Sequence, residues 1–481
     1  MGVLDKIIGW ISPSWGLQRE MARQTLASVQ ARAYEAAAYG RRTNNWRASS
    51  ASATTEASTA IGKLRDRSRE MVRNNSWANR AIAVIANNTI GTGIRPAISV
   101  SSKNKKTETR IKEAWNAWAD GTGCDFDGRL NFYGLQKLIM RAVAECGECL
   151  IVKDIDAANQ RLQLRILEGD FIDTTKHSSG SFMGDGDFDF YGIRFNAKGK
   201  RIGVWLFERH PEFGNLGSTL YSEDQVIHVY EVLRAGQARG VPMGVSGFLR
   251  LRDMNDYEDA QLIRQKVAAC FSVFVQQNST TMPTTADDDR FERVEPGMVN
   301  YLSPGEQVTF GSPPVVEGYE SYTRQVLRGI ASAYGITYEA LTNDLSNVNF
   351  SSGRMGWIGF QQNIAGWQRD IMQPTLEKVF GWFIQIFGLS QRLTDKVIAE
   401  WTAPRREMID PSKETNAMVA QIRAGLKSYP EAMRELGYDP EDTLSEVKTF
   451  YDAIDVLGLK LTTDLRVDLQ PDIPTSDVAE K

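Results

Sequence analysis

One helical pattern constrains this chain more than any other feature. It runs from Ser352 to Phe387, roughly ten turns, and is interrupted only by Pro374. Helices in compact domains average about three to four turns. A helix this long implies an elongated subunit. Ser351 or Ser352 is expected to cap its start and Gly388 to end it. Pro374 is expected to kink it, because the ring removes one N–H and crowds the preceding turn. Trp357, Phe360, Trp367, Trp382 and Phe383 are spread along it, and core burial accounts for most of them.

The rest of the chain reads as α+β. Residues 1–59 are rich in Ala, Ser, Thr and Arg and read as a poorly packed arm. A helix is expected from about Ala60 to Ile90, broken near Asn74-Asn75 and stopped by Gly91-Thr92-Gly93. Two more cover Lys105–Trp118 and Phe132–Cys146. Short strands follow at Cys149–Ile155, Leu162–Ile166, Gly192–Phe195, Val204–Phe207 and Val226–Tyr230. Helix returns over Val245–Ala269 and Tyr319–Tyr334. The Pro-, Gly- and Asp-rich stretch between them carries strands near Phe271–Val275, Met298–Leu302 and Gln307–Thr309. Another strand is expected at Val397–Trp401. Asp410-Pro411, Ser428 with Pro430, and Asp439-Pro440 mark three late helix starts.

Composition excludes several function classes. The net charge is −4, which argues against a protein that coats nucleic acid, because tight phosphate binding needs clustered Lys and Arg. A mildly acidic wall still suits a channel through which DNA slides. Four cysteines in 481 residues are too few for a disulfide scaffold, which points to a reducing compartment. No apolar run approaches the length of a membrane span.

No constellation makes a convincing active site. Cys146-Gly147-Glu148-Cys149 has the spacing of a zinc or redox pair, but no second ligand pair accompanies it, and ordinary thiols are the expected reading. Gly91-Thr92-Gly93 follows a helix and lacks the Lys-Ser/Thr of a phosphate loop. Three histidines offer little general acid–base chemistry. Glu145 with Glu148, or Asp253, Asp256 and Asp259 spaced along one helix face, are candidate metal carboxylates, although solvated surface is the plainer reading. Arg65, Arg67, Arg69 and Arg73, interleaved with Asp66 and Glu70, are expected to form a solvated, salt-bridged face.

Four stretches in order resemble the lambda-type portal proteins of tailed bacteriophages. The first is Arg67-Ser68-Arg69-Glu70-Met71-Val72-Arg73-Asn74-Asn75, continuing to Gly91-Thr92-Gly93. The second is His228-Val229-Tyr230-Glu231 leading through Gly236-Gln237-Ala238-Arg239-Gly240-Val241. The third is Leu302-Ser303-Pro304-Gly305-Glu306. The fourth runs from Ile330-Ala331-Ser332-Ala333-Tyr334-Gly335 through Leu341 to Asn349-Phe350-Ser351-Ser352-Gly353-Arg354.

The resemblance implies an α+β portal fold assembled as a ring. It places a wing at 60–243, a stem helix at 244–270, a clip at 271–318, a second stem helix at 319–341 and a tunnel loop at 342–355. The long kinked helix and the rest of the wing follow at 356–409, then a crown at 410–460 and a tail at 461–481. It also implies a function: twelve copies at one capsid vertex, passing double-stranded DNA during packaging and ejection. The implied partners are the large terminase subunit, head-completion or connector proteins, the scaffold and the major capsid protein, with no membrane and no cofactor. Assembly would take place in the host bacterial cytoplasm. Asn343, Asn347, Asn349 and Ser351 are expected to line the channel, and Asp287, Asp288 and Asp289 to dock terminase or a connector. Two alternatives from other classes are a metal-dependent hydrolase using helix carboxylates and a structural tail or baseplate protein.

Overall fold

The structure is a computed structural model. It describes residue 21 and residues 48–464, except 103, 157–158, 179–185, 215–216, 270–272, 278–305, 311–317, 392–394, 405–407, 409, 460 and 462–463. The acidic run Asp287–Asp289 and the expected strand at Met298–Leu302 therefore lie outside the described residues.

Helices α1 (Ala53–Asn74) and α2 (Ser76–Ile90) meet at Asn75, whose side chain accepts hydrogen bonds from the N–H groups of Trp77 and Ala78. The break expected at Asn74-Asn75 is thus a capped helix start. The start of α1 lies earlier than the apolar stripe indicates. Its small residues Ala53, Thr54 and Ala57 are buried, and the Thr54 hydroxyl donates to Gly236 O (2.8 Å) and accepts from Ala238 N–H (3.0 Å).

Strand β1 (Arg95–Val100) leads to α3 (Lys105–Ala119) and α4 (Phe132–Cys146). Strands β2 (Glu148–Ile155) and β3 (Leu162–Glu168) pair antiparallel. Strands β4 (Phe188–Phe190), β5 (Ile193–Phe195), β6 (Arg201–Phe207) and β7 (Ser218–Ser222) form a four-stranded antiparallel meander. Sequence reading missed β4 and β7, which are short and only partly buried. Strand β8 (Val226–Tyr230) joins the other edge of β2, giving the order β3-β2-β8.

Central β2 is buried on both faces. Cys149 and Ile151 face the main core, while Leu150 and Val152 face a second cluster with Ile172, Ile193, Val204 and Leu206. The period-two side-chain alternation places one strand between two cores.

Helix α5 (Phe248–Ala269) precedes two strands, β9 (Val273–Gln277) and β10 (Glu306–Phe310), that pair antiparallel. Helix α6 (Tyr319–Ala333) ends at Tyr334-Gly335, where Gly335 has φ 68°. A separate short helix, α7 (Tyr338–Thr342), follows. The helix expected over Tyr319–Tyr334 thus forms, and the segment 319–341 that the resemblance assigns to the second stem helix holds two helices, because a left-handed residue ends a helix.

The long helix forms. Helix α8 (Phe350–Trp367) passes through a π-turn, Gln368–Met372, into α9 (Gln373–Gln391). The π-turn lies immediately before Pro374, where the widened turn accommodates the ring that would clash in a regular α-turn. Gly388 does not end the helix. It stays helical, at a cost of about 1 kcal/mol relative to Ala. Strand β11 (Val397–Thr402) pairs antiparallel with β1.

Trp115 on α3 is 1% exposed and packs against Trp118, Phe132, Phe380, Phe383 and Trp401, with ring centroids 5.0–6.0 Å apart. Phe360, Trp367, Trp382 and Phe383 are buried as expected, and Trp357 partly so.

Helices α10 (Pro411–Arg423), α11 (Tyr429–Glu435) and α12 (Pro440–Leu457) start at the predicted caps, Asp410, Ser428 and Asp439.

Candidate functional site

Asn343, Asn347, Asn349 and Ser351 fall within one short exposed stretch, the loop between α7 and α8 and the first turn of α8. The irregular part is shorter than expected, because α8 already begins at Phe350. Asn343 ends α7 in the left-handed conformation (φ 58°), its N–H donating to Glu339 O at 2.8 Å. Asparagine tolerates that conformation better than most residues.

Asp344 organises the loop. Its Oδ1 accepts from the Ser346 N–H (3.1 Å) and hydroxyl (2.6 Å), and its Oδ2 accepts from the Tyr338 phenol (2.9 Å). These bonds, those from Ser346 foremost, hold its carboxyl below the usual carboxylate range. Arg328 on α6 stands 5.6 Å over the Tyr338 ring.

Asn349, rather than Ser351 or Ser352, caps α8. Its Oδ1 accepts from Ser352 N–H (2.8 Å), and Ser352 Oγ accepts from Asn349 N–H (3.2 Å). This reciprocal box commits Asn349 to structure. Among the described residues, the Asn347 side chain donates one hydrogen bond, to Ser346 Oγ at 3.4 Å, and Ser351 is exposed on the first turn. From Ala340 to Gly353 there is no Lys or Arg, and Asp344 is the lone charge. Such a surface can hydrogen-bond phosphates without the affinity that counterion release gives to cations.

A second polar cluster is fully buried. It gathers Glu148 from β2, Arg65 from α1, His228 from β8 and Arg239. Glu148 Oε1 accepts from Arg239 Nη2 (2.5 Å) and Arg65 Nη2 (2.7 Å). Its Oε2 accepts from Arg239 Nε (3.0 Å) and Gly240 N–H (3.1 Å), and lies 3.0 Å from His228 Nε2. Burial alone would raise the Glu148 carboxyl. Arg239, then His228, outweigh it and hold the group well below the usual range.

Burial and the nearby Arg201 push His228 down to about 4, against the opposing pull of Glu148. A neutral ring donating from Nε2 leaves Nδ1 a bare acceptor, and Nδ1 has no hydrogen-bond partner.

The backbones cross tightly beside this cluster. Gly147 has φ 87°, and an added Cβ there would stand 2.5 Å from Val241 C; one on Gly240 would stand 2.0 Å from Gly147 O. Sequence reading placed Glu148 beside Cys146 and Cys149 without seeing its partners, which come from three distant segments.

The arginine-rich segment departs from expectation. Arg65 is buried and Arg69 half-buried, and their partners are Glu148, Glu168 and Asp170, not Asp66 or Glu70. Arg67 and Arg73 remain exposed. Burial would raise the Asp170 carboxyl, but Arg69 and Arg65 bring it below its ordinary value.

The carboxylates Asp253, Asp256 and Asp259 are exposed and do not converge. Among the described residues, the one group spaced for a metal is Glu168, Asp170 and His210. Glu168 and Asp170 are already paired with arginine. Burial pushes the Cys146 thiol up to about 11 and the Cys149 thiol higher, as inert core thiols require.

A family model described as "Phage portal protein, lambda family" matches residues 39–368. The "Probable portal protein" of Halomonas phage phiHAP-1 is 25% identical over 420 residues, covering 80% of this chain and 79% of that protein. "Portal protein B" of Escherichia phage lambda is 19% identical over 444 residues, covering 79% of this chain and 81% of that protein. A chain from the virion of a native gene transfer agent particle aligns with a TM-score of 0.48 at 12% identity. That alignment covers 79% of this chain and 94% of the other.

Proposed function

The chain belongs to the lambda family of phage portal proteins. From that membership we propose that twelve copies close into a ring at one vertex of the head and that double-stranded DNA passes through it during packaging and ejection. The observation that carries the proposal is the family match itself, which spans the helix pair α5 and α6, the loop 343–349 and α8.

In this reading the loop faces the channel. Its exposed amides and hydroxyls meet passing phosphates one weak hydrogen bond at a time, and the lack of Lys or Arg from 340 to 353 keeps DNA from sticking. Wing, stem, clip and crown follow the segments at 60–243 with 356–409, at 244–270 with 319–341, at 271–318 and at 410–460. The large terminase subunit or a head-completion protein docks on the clip through Asp287–Asp289. Scaffold and major capsid protein meet the ring during assembly in the host cytoplasm. Neutralising the three aspartates is expected to weaken terminase docking while rings still form; undiminished docking contradicts that role.

The test of the function is genome packaging. Phage lacking this gene are expected to make heads without nuclease-protected DNA, and supplying the chain in trans restores it. DNA-filled heads in its absence would overturn the proposal.

A further inference from the structure

Helices α5 and α6 pack through one face each and leave the opposite faces bare. On α5 the inward residues are Leu251 and Met254, each 1% exposed. Half a turn away, at helical spacing, lie Leu249, Asp253, Asp256, Ala260 and Ile263, all exposed, Leu249 at 71% and Ile263 at 61%. On α6 the inward residues are Leu327, Ile330 and Ala331. Its opposite face presents exposed Ser321, Gln325, Arg328 and Ser332.

The two bare faces are complementary. That of α5 is apolar and net acidic, with exposed Arg252 set among Asp253, Asp256 and Asp259; that of α6 is small, polar and cationic. Among the described residues, Asp253, Asp256 and Arg328 have no oppositely charged partner, although the Arg328 guanidinium stands over the Tyr338 ring.

Arg328 and Asp253 are also close in height along the pair. Tyr257 on α5 rests against Tyr319 and Tyr322 on α6, with centroids 5.9 and 4.7 Å away. Further along the pair, Gly329 sits against Arg250, where an added Cβ would stand 2.0 Å from Nη1. Arg328 adjoins the Gly329–Arg250 contact and is nearest in height to Asp253, whereas Asp256 adjoins Tyr257 at the other contact, about a turn further along.

Rotation about an axis parallel to the helix pair preserves height. In a ring around such an axis, the α6 face of one copy therefore meets the α5 face of the next at matching level. Two different complementary faces on one chain are what a closed head-to-tail ring requires.

We propose that Arg328 of each subunit pairs with Asp253 and Asp256 of the adjacent copy, whose exposed Leu249 and Ile263 are covered by the contact. A groove of about 610 Å³ between α1 and α5, lined by Leu64, Met71, Phe248 and Leu249 and by the charged Arg67, Arg252 and Asp256, opens beside this face. This inference rests on the ring reading and names the surfaces that build the ring.

The test is charge reversal on the full-length chain, with assembly followed by native mass and analytical ultracentrifugation. Both D253R/D256R and R328E are expected to raise the concentration needed for ring formation about tenfold or more. The combined variant D253R/D256R/R328E, in which both faces are reversed, is expected to restore it. Circular dichroism and thermal unfolding like those of wild type show that each variant folds. Rings that form normally in either partial variant overturn the pairing, as does a combined variant that fails to regain them. Wild type that stays monomeric overturns the ring reading itself, a result distinct from both.

Discussion

Glu148 and Arg239 form a two-pronged ion pair, Nη2 to Oε1 at 2.5 Å and Nε to Oε2 at 3.0 Å, with side chains 0% and 1% exposed. The pair joins the end of α4 and the start of β2 to the segment that leads into α5. Low dielectric strengthens such a pair, and makes its loss costly, because a stranded buried charge has no water to turn to.

Glu148→Gln leaves Arg239 and Arg65 without their shared counterion. The expected loss is about 3–5 kcal/mol of folding stability, read from denaturant unfolding midpoints. A midpoint unchanged from wild type would contradict the role given to this carboxylate.

The same cluster sets an acid limit. His228 has a folded-state value of about 4 against an ordinary 6.5, so the unfolded chain binds the extra proton more readily. Its contribution is complete above pH 6.5 and is lost as pH falls from 6.5 toward 4, on the order of 3 kcal/mol in all. The Glu148 carboxyl, which burial would raise but Arg239 and His228 hold well below its ordinary value, adds its own loss as pH falls below the ordinary carboxylate range. Replacing His228 with Gln is expected to flatten the stability profile between pH 6.5 and 4, as measured by unfolding at fixed pH. An equally steep profile would show that other groups cause the loss.

The loop residues separate by role. Asn347 has no capping duty, so Asn347→Lys should change stability by no more than about 0.5 kcal/mol while slowing packaging by adding a phosphate-binding cation. Asn349→Ala removes the cap of α8 and should cost about 1 kcal/mol with no added charge. Thermal unfolding and single-particle packaging rates distinguish the two. Packaging unaffected by Asn347→Lys would contradict a channel-facing loop.

Much of the fold was legible because local chemistry settled it. The helix Phe132–Cys146, the strand Val226–Tyr230 and the caps Asp410, Ser428 and Asp439 follow from apolar periodicity and side-chain acceptors within a few residues. What escaped depended on distant partners. Thr54 belongs to a helix because it bonds to residues 236 and 238, and Arg65 is buried because Glu148 and Asp170 wait for it. Within the loop, Asp344 with Ser346 two residues on was a readable turn signal. The role of Tyr338 was hidden until α7 and the loop were seen together.

The central claim is a closed ring of about a dozen copies around a hole wide enough for duplex DNA. Native mass measurement combined with electron-microscope class averages of the purified chain tests it most directly. A single mass near twelve times that of the subunit, with an axial opening of roughly 20 Å or more, well above a major-groove width of ~12 Å, is the expected result. A well-folded monomer or dimer that persists at high concentration, with scaffold protein present, would contradict the account.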